Sequence, residues 1–285
     1  MNSLFVSDLH GSISRYEKLF NIISNEEPEL VFIGGDILPS FTHDIVSSEI
    51  IDDFIEDYII KNLLLLKERM NKKYPVINII LGNDDLIIEE EKLIDSAKYK
   101  IFNYISNNKI EFNGIKIFGY SYVPPTPFML KDWEKYDVSR YIDPGCVSPE
   151  EGFRSVKVEK SVIKYSTIKD DLHKLTKNED LSNAVFLFHS PPYKTNLDRV
   201  ANDGKYYEHV PLDLYAGSIA IKKFIEEKQP LLTLHGHIHE STRLTGSWKD
   251  KIGNTHCFNA SHDGKELSLI KFDLNNLEDA VRILI

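Results

Sequence analysis

Short apolar runs recur along the chain and stop abruptly at polar residues. Residues 4–6 lead into Ser7, Asp8, Leu9 and His10; residues 30–33 lead into Gly34, Gly35 and Asp36; residues 76–81 lead into Gly82, Asn83 and Asp84. Residues 185–188 are followed by His189, and residues 231–234 by His235, Gly236, His237, Ile238 and His239. The runs are too short for helices and rich in Val, Ile, Leu and Phe, the composition of buried strands. Helical spacings lie between them. Residues 12–25 place Ile13, Tyr16, Leu19, Phe20 and Ile23 on one stripe. Residues 44–72 read as a long amphipathic helix ending before Pro75, and residues 216–227 as another helix. This alternation predicts an α/β fold with a largely parallel core. Ligands of such sheets gather at the carboxyl ends of the strands. Five strands are therefore expected to deliver polar groups to one sheet edge.

Residues 119–158 break the pattern with Pro124, Pro125, Pro127, Pro144 and Pro149 among Tyr122, Trp133, Tyr136 and Tyr141. This aromatic- and Pro-rich insertion reads either as a lid over the site or as an ordered surface elaboration. Residues 266–272 and 280–285 are short and alternating, which suggests a second, more antiparallel sheet packed on the first. With no repeat or low-complexity linker, residues 1–285 are expected to form a single domain carrying the insertion.

Composition narrows the function. With 42% hydrophobic and 27% charged residues, the 285-residue chain has a globular balance. A net charge of −10 makes nucleic-acid binding an unfavoured expectation, because duplex binders usually present a basic face. It does not exclude an anionic substrate, since bound dications would set the local field. Cys146 and Cys257 form no CxxC pattern, so neither a disulfide framework nor a cysteine zinc site is expected. No apolar stretch approaches the roughly 20 residues that span a bilayer, and the first residues show no basic segment before a long apolar run. A cytoplasmic protein that does not engage membranes is the expectation.

The polar residues after the runs share a chemistry. Asp8, His10, Asp36, Asn83, His189, His237 and His239 offer carboxylate, amide and imidazole donors and no thiolate. Such a set suits Mn²⁺, Fe, Zn²⁺, Co²⁺ or Ni²⁺ better than Ca²⁺. The spacing of Asp8 with His10, and of His237 with His239, puts each pair on one face of an extended segment. Seven donors exceed what one open site needs. They suit two divalent metal ions sharing a carboxylate bridge, roughly 3.5–4 Å apart.

The order Asp8-Leu9-His10, Gly35-Asp36, Gly82-Asn83-Asp84-Asp85, His189 and Gly236-His237-Ile238-His239 resembles the motif series of calcineurin-like metallophosphoesterases. The resemblance implies a four-layer α-β-β-α sandwich. It implies that Asp8, His10 and His239 hold one metal, that Asn83, His189 and His237 hold the other, and that Asp36 bridges them. It further implies that a bridging hydroxide attacks phosphorus. Asn83 and Asp84 become the candidate catalytic residues, with one departure. Many members carry His after the motif Asn, where it protonates the leaving group or steadies the phosphate; here Asp84 stands there. An Asp beside two dications should have a lowered pKa and be a poor proton donor. The enzyme would then favour leaving groups that need little protonation, or take a donor from elsewhere, such as His43.

The activity implied is a metal-dependent phosphodiesterase acting on a nucleotide or another small phosphodiester. The alternatives are a phosphomonoesterase or protein phosphatase with the same site, and a non-catalytic metal-binding scaffold. A nuclease fits poorly with the acidic composition. His43 and Tyr193 are candidates for substrate contact. Asp85 and His235 read as orienting or turn-forming residues, and Arg15 as a phosphate contact or a surface salt bridge.

Overall fold

The apolar runs become strands, and the helical stripes become helices laid against them. The computed structural model describes residues 1–40 and 52–285. In its first half, the strands are β1 (Asn2–Val6), β2 (Leu30–Gly34), β3 (Val76–Ile80), β4 (Asn103–Tyr104), β5 (Asn108–Phe112) and β6 (Ile115–Tyr120). They continue with β7 (Ala184–Phe188), the short hairpin β8 (Tyr206–Tyr207) and β9 (Val210–Pro211), then β10 (Leu232–His235). The last are β11 (Lys249–Ile252), β12 (Thr255–Asn259), β13 (Ser268–Asp273) and β14 (Asn276–Leu284). The helices are α1 (Ile13–Glu26), α2 (Lys61–Met70), α3 (Glu90–Ser96), α4 (Lys160–Tyr165), α5 (Ile168–Leu175), α6 (Ile219–Lys228) and α7 (Ser241–Thr245).

Two mixed six-stranded sheets result, ordered β14-β13-β1-β2-β3-β4 and β11-β12-β10-β7-β6-β5. Strands β1 to β4 run parallel, as do β6, β7, β10 and β12. Period-2 alternation within each strand assigns its side chains to separate cores. Leu4, Val6, Val31 and Ile33 face α1 and α2, where Leu19, Ile23, Leu63 and Leu66 are buried with them. Phe5 and Phe32 face the other way, meeting Leu187, Leu234 and Phe258 between the sheets. Phe186 and Phe188 of β7 pack outward with Leu172 of α5 and Ile221 and Phe224 of α6. Three apolar cores thus separate four layers, helix–sheet–sheet–helix, as the motif resemblance implies.

Two expectations need correction. The five ligand-bearing strands do not share one sheet: β1, β2 and β3 lie in the first, β7 and β10 in the second. The strands at 266–272 and 280–285 do not form a separate antiparallel sheet either. They are β13 and β14, which extend the first sheet when β13 pairs antiparallel with β1. Apolar alternation reports that a face is buried, not which strand will pair with it.

The helix expected over 44–72 lies partly outside the described residues. Its described part begins at a cap: the Asp53 carboxylate accepts from the N–H groups of Ile55 and Glu56. It opens with a π-helical stretch, Phe54–Ile60, and continues as α2, with Ile55, Ile59, Leu63 and Leu66 buried. No helix among the described residues is long and apolar enough to cross a membrane.

Residues 121–159 carry no extended strand or helix but are tied down internally. Trp133 and Tyr136 are buried, and Lys131 donates to Glu134 at 2.6 Å with both side chains sealed from solvent. Asp137 anchors the segment to the start of α6, accepting from the Ser218 hydroxyl at 2.6 Å and the Ile219 N–H at 2.7 Å.

Candidate metal centre

Each candidate donor sits in the turn just past a strand. Asp8, Asp36 and Asn83 follow β1, β2 and β3; His189 follows β7; His237 and His239 follow β10. The carboxyl ends of both sheets therefore converge, and the structure brings all seven donors to one place. The turns are bent unusually tightly. Asp8, His10, Asp36 and His237 have positive φ, at 57°, 45°, 50° and 71°. Non-glycine residues seldom adopt this region, and it costs about 1–3 kcal/mol at each. Backbone bonds hold the bends: the Asp8 N–H donates to Gly35 at 3.0 Å and the His10 N–H to Asp36 at 2.8 Å. Close approach explains the glycine before Asn83. A Cβ on Gly82 would run into the Asp36 carboxylate and come within 2.6 Å of the His189 ring.

The donor atoms lie at the spacing of a coordination shell. His10 Nε2 and His239 Nε2 are 3.3 Å apart, and His239 Nε2 is 3.3 Å from Asp8 Oδ1. On the other side, His189 Nε2 lies 3.0 Å from Asn83 Oδ1 and 3.2 Å from Asp36 Oδ2. Donors bound at about 2.0–2.1 Å stand roughly 2.8–3.4 Å apart in octahedral or tetrahedral arrangements. Asp8, His10, Asp36 and His239 form one group able to hold an ion, and Asp36, His189 and His237 form another. Asp36 belongs to both. The His189 Nδ1–H donates to the Gly34 carbonyl at 2.8 Å, which leaves Nε2 as the donor toward the centre.

The electrostatics agree with this donor set. Burial alone would raise the carboxyl pKa of Asp8, but the hydrogen bond and charge of His239, with the charges of His189 and His10, hold it well below its usual value. Asp36 likewise resists burial and falls to about 2 beside His189. His189 is pulled up to about 9 against burial by Asp36 and Asp8, whereas burial and the neighbouring His189 charge push His237 down to about 3. Two buried carboxylates thus make a negative centre that draws cations to imidazole donors, and the residues present fit a divalent metal.

Asp84 borders this centre with its carboxylate 3.5 Å from His10 Nδ1, and its N–H donates to Asp36 Oδ1 at 2.8 Å. Within the protein alone, burial and the Asp36 charge raise its pKa. The lowering expected of neighbouring dications acts in the opposite sense.

A supporting layer surrounds the donors. The Ser261 hydroxyl, just past β12, donates to Asp8 Oδ2 at 2.6 Å, and the His237 N–H donates to Asp8 Oδ1 at 3.0 Å. Ser261 carries no signal in the sequence beyond following an apolar run, as the donors do. Replacing it by Ala should weaken metal affinity by about 10–100-fold while leaving every donor in place. Metal titration followed by isothermal calorimetry checks this; unchanged affinity would mean that Asp8 needs no help from Ser261.

Asp85 is buried and accepts from the N–H groups of Ile37, Leu38 and Gly82 at 3.1, 2.8 and 2.8 Å, tying two ligand turns together. His235 points away from the centre, donating from Nδ1 to the Ser190 carbonyl at 2.9 Å and stacking on Phe188. Arg15 reaches the backbone of a donor turn rather than the donor atoms themselves. It donates to the Asp8 and Gly264 carbonyls, each at 2.6 Å. Tyr193 does not itself line the cleft in front of the centre but backs it, donating to Asp213 at 2.5 Å and packing on Tyr215, both of which do. His43 lies outside the described residues. The cleft itself has a volume of about 1070 Å³, with His10, Asp36, Asn83, His237 and His239 on its floor.

Comparison with known proteins completes the picture. No curated protein matches the sequence. One solved structure aligns over 100% of this chain and 98% of its own at 16% identity and a TM-score of 0.57. The protein TT1561 of Thermus thermophilus aligns over 99% of this chain and 98% of its own at 14% identity and a TM-score of 0.56. These two share the fold. The family model described as calcineurin-like phosphoesterase matches residues 1–241, a stretch that includes every donor named above. The chain belongs to the calcineurin-like phosphoesterase family, whose members are metal-dependent enzymes that hydrolyse phosphoester bonds.

Proposed function

We propose that the centre holds two divalent ions and that the enzyme is a phosphodiesterase acting on a small phosphodiester. Asp8, His10 and His239 would hold one ion, Asn83, His189 and His237 the other, and Asp36 both. When bound, such ions neutralise charge on the phosphoryl oxygens and lower the pKa of water. The chain's own residues do the rest. The Gly34 carbonyl fixes the His189 tautomer, Ser261 and the His237 N–H orient Asp8, and Asp85 locks the turns that present Asp36 and Asn83.

The preference for diesters is carried by Asp84. A carboxyl group at the edge of the centre repels a dianionic monoester more than a monoanionic diester. The same residue is not expected to protonate a leaving group, which favours leaving groups that depart as stable anions. The test uses a chromogenic aryl diester and the matching monoester. Both are offered to protein stripped of metal, then to protein restored with Mn²⁺, Zn²⁺, Ni²⁺, Co²⁺ or Fe²⁺. Metal-dependent turnover of the diester, at least about tenfold above the monoester and lost in His189→Ala, is the expected outcome. Faster monoester turnover would assign the site to a phosphomonoesterase instead.

A further inference from the structure

The cleft in front of the metal centre has a chemistry of its own. Residues 124–130, 143–146 and Phe153 line it, together with Val200, Leu212 and Tyr215. Phe128, Met129 and Phe153 border it while remaining 60%, 51% and 59% exposed. A lone exposed apolar side chain needs no explanation, but three lining one cleft form a surface that gains by being covered.

The charged residues are equally informative. Asp84, Asp143, Asp213 and Glu240 line the cleft, and among the described residues no lysine or arginine does. Residues 41–51, which follow Ser40 at its edge, contain neither in their sequence. Three basic residues of the surrounding segments are engaged elsewhere. Lys131 is sealed against Glu134, Arg154 donates to backbone carbonyls including that of Asp132, and Arg199 pairs with Asp203 at 2.6 Å. Sites for polyphosphates or nucleic acid bring Arg and Lys to each extra phosphate. Here the positive charge offered to a substrate is that of bound metal.

We infer that the substrate carries a single phosphoester group whose second arm is bulky and apolar, alkyl or aryl, with no further anionic charge. This rests on the phosphodiesterase reading. The metal centre takes the phosphoryl group, and the apolar arm lies against Phe128, Met129 and Phe153. In hydrolysis the oxygen of water bonds to phosphorus, the bond to the leaving aryloxide breaks, and the protons of water pass to solvent.

The experiment uses metal-restored enzyme and 4-nitrophenyl phosphodiesters with methyl, butyl, hexyl, naphthyl or carboxymethyl as the second arm. From methyl to hexyl, kcat/KM should rise at least about tenfold, a part of the roughly fourfold per methylene that full burial would give. The carboxymethyl diester should fall about tenfold below the methyl. In the double variant Phe128→Ser, Phe153→Ser, the hexyl-to-methyl ratio should drop toward one; because it is a ratio, it is independent of the amount of folded enzyme. A hexyl arm preferred over naphthyl points to lipid-like substrates, and the reverse to aromatic ones. Equal rates across the arms, or faster turnover of the carboxymethyl diester, would overturn the inference and leave the phosphodiesterase reading standing. Hydrolysis of a monoester with no diester turned over at all would overturn both.

Discussion

Asp36→Asn should lower metal-dependent turnover by about 10³-fold or more and reduce the metal retained per chain. The size of the effect follows from the position of Asp36, the one residue common to both donor groups. Loss of an outer partner typically costs 10–100-fold; if two ions share Asp36 as proposed, its loss would remove charge from both at once. The substitution is nearly isosteric and keeps an acceptor for the Asp84 N–H, so the fold should survive. Elemental analysis alongside the diester assay checks it. Full metal content with near-normal turnover would show that the two groups do not depend on Asp36 as a bridge.

Lys131→Met should destabilise the protein by about 3–5 kcal/mol, because it strands a buried carboxylate. Glu134 is fully enclosed and bound by Lys131 Nζ at 2.6 Å and the Thr126 N–H at 2.9 Å. Burial already pushes its pKa up to about 7 against the pull of Lys131. Without that cation the enclosed charge has no counterpart. Tm should fall by roughly 10 °C, at a few degrees per kcal/mol for chains of this size class. A double variant, Lys131→Met with Glu134→Gln, should regain much of the loss, since removing both charges is far less costly than removing one. Thermal unfolding of the three proteins decides the matter; equal Tm values for the single and double variants would mean that the ion pair is not the source of the loss. The pair sits beneath the wall formed by residues 124–130, so the single variant should also blur discrimination among ester arms.

The parts of the site legible in the sequence are those whose signal is local. Asp8, Asp36, Asn83, His189 and His237 each follow an apolar run, and a strand end followed by a polar residue can be read within ten positions. Pairing cannot. β2 and β7 are both buried throughout, so nothing in their composition says that they belong to different sheets. β13 and β14 pair antiparallel, yet the attachment of β13 to β1 joins residues about 270 positions apart. Ser261 reaches Asp8 across a similar distance, and a lone serine carries no periodicity to mark it. Tyr193 is near His189 in sequence, yet it meets the cleft through Asp213 and Tyr215 rather than directly. The Tyr193 N–H donates to Ser218 at 3.0 Å, while the ring packs on Tyr215 and its hydroxyl donates to Asp213, behind two residues that line the cleft.

The placement of β1 between β2 and β13 has a consequence for how the protein comes to be made. Asp8 receives its hydrogen bonds from His237 and Ser261, and β1 gains its second neighbour only when residues 270–273 exist. At about 5–20 residues per second, the ribosome delivers those partners roughly 10–50 s after β1 emerges. Throughout that interval the nascent chain displays an apolar strand with one open edge and an incomplete set of donors. The full donor set exists only once residues 237–239 have been made, and β1 keeps an unpaired edge until β13 follows.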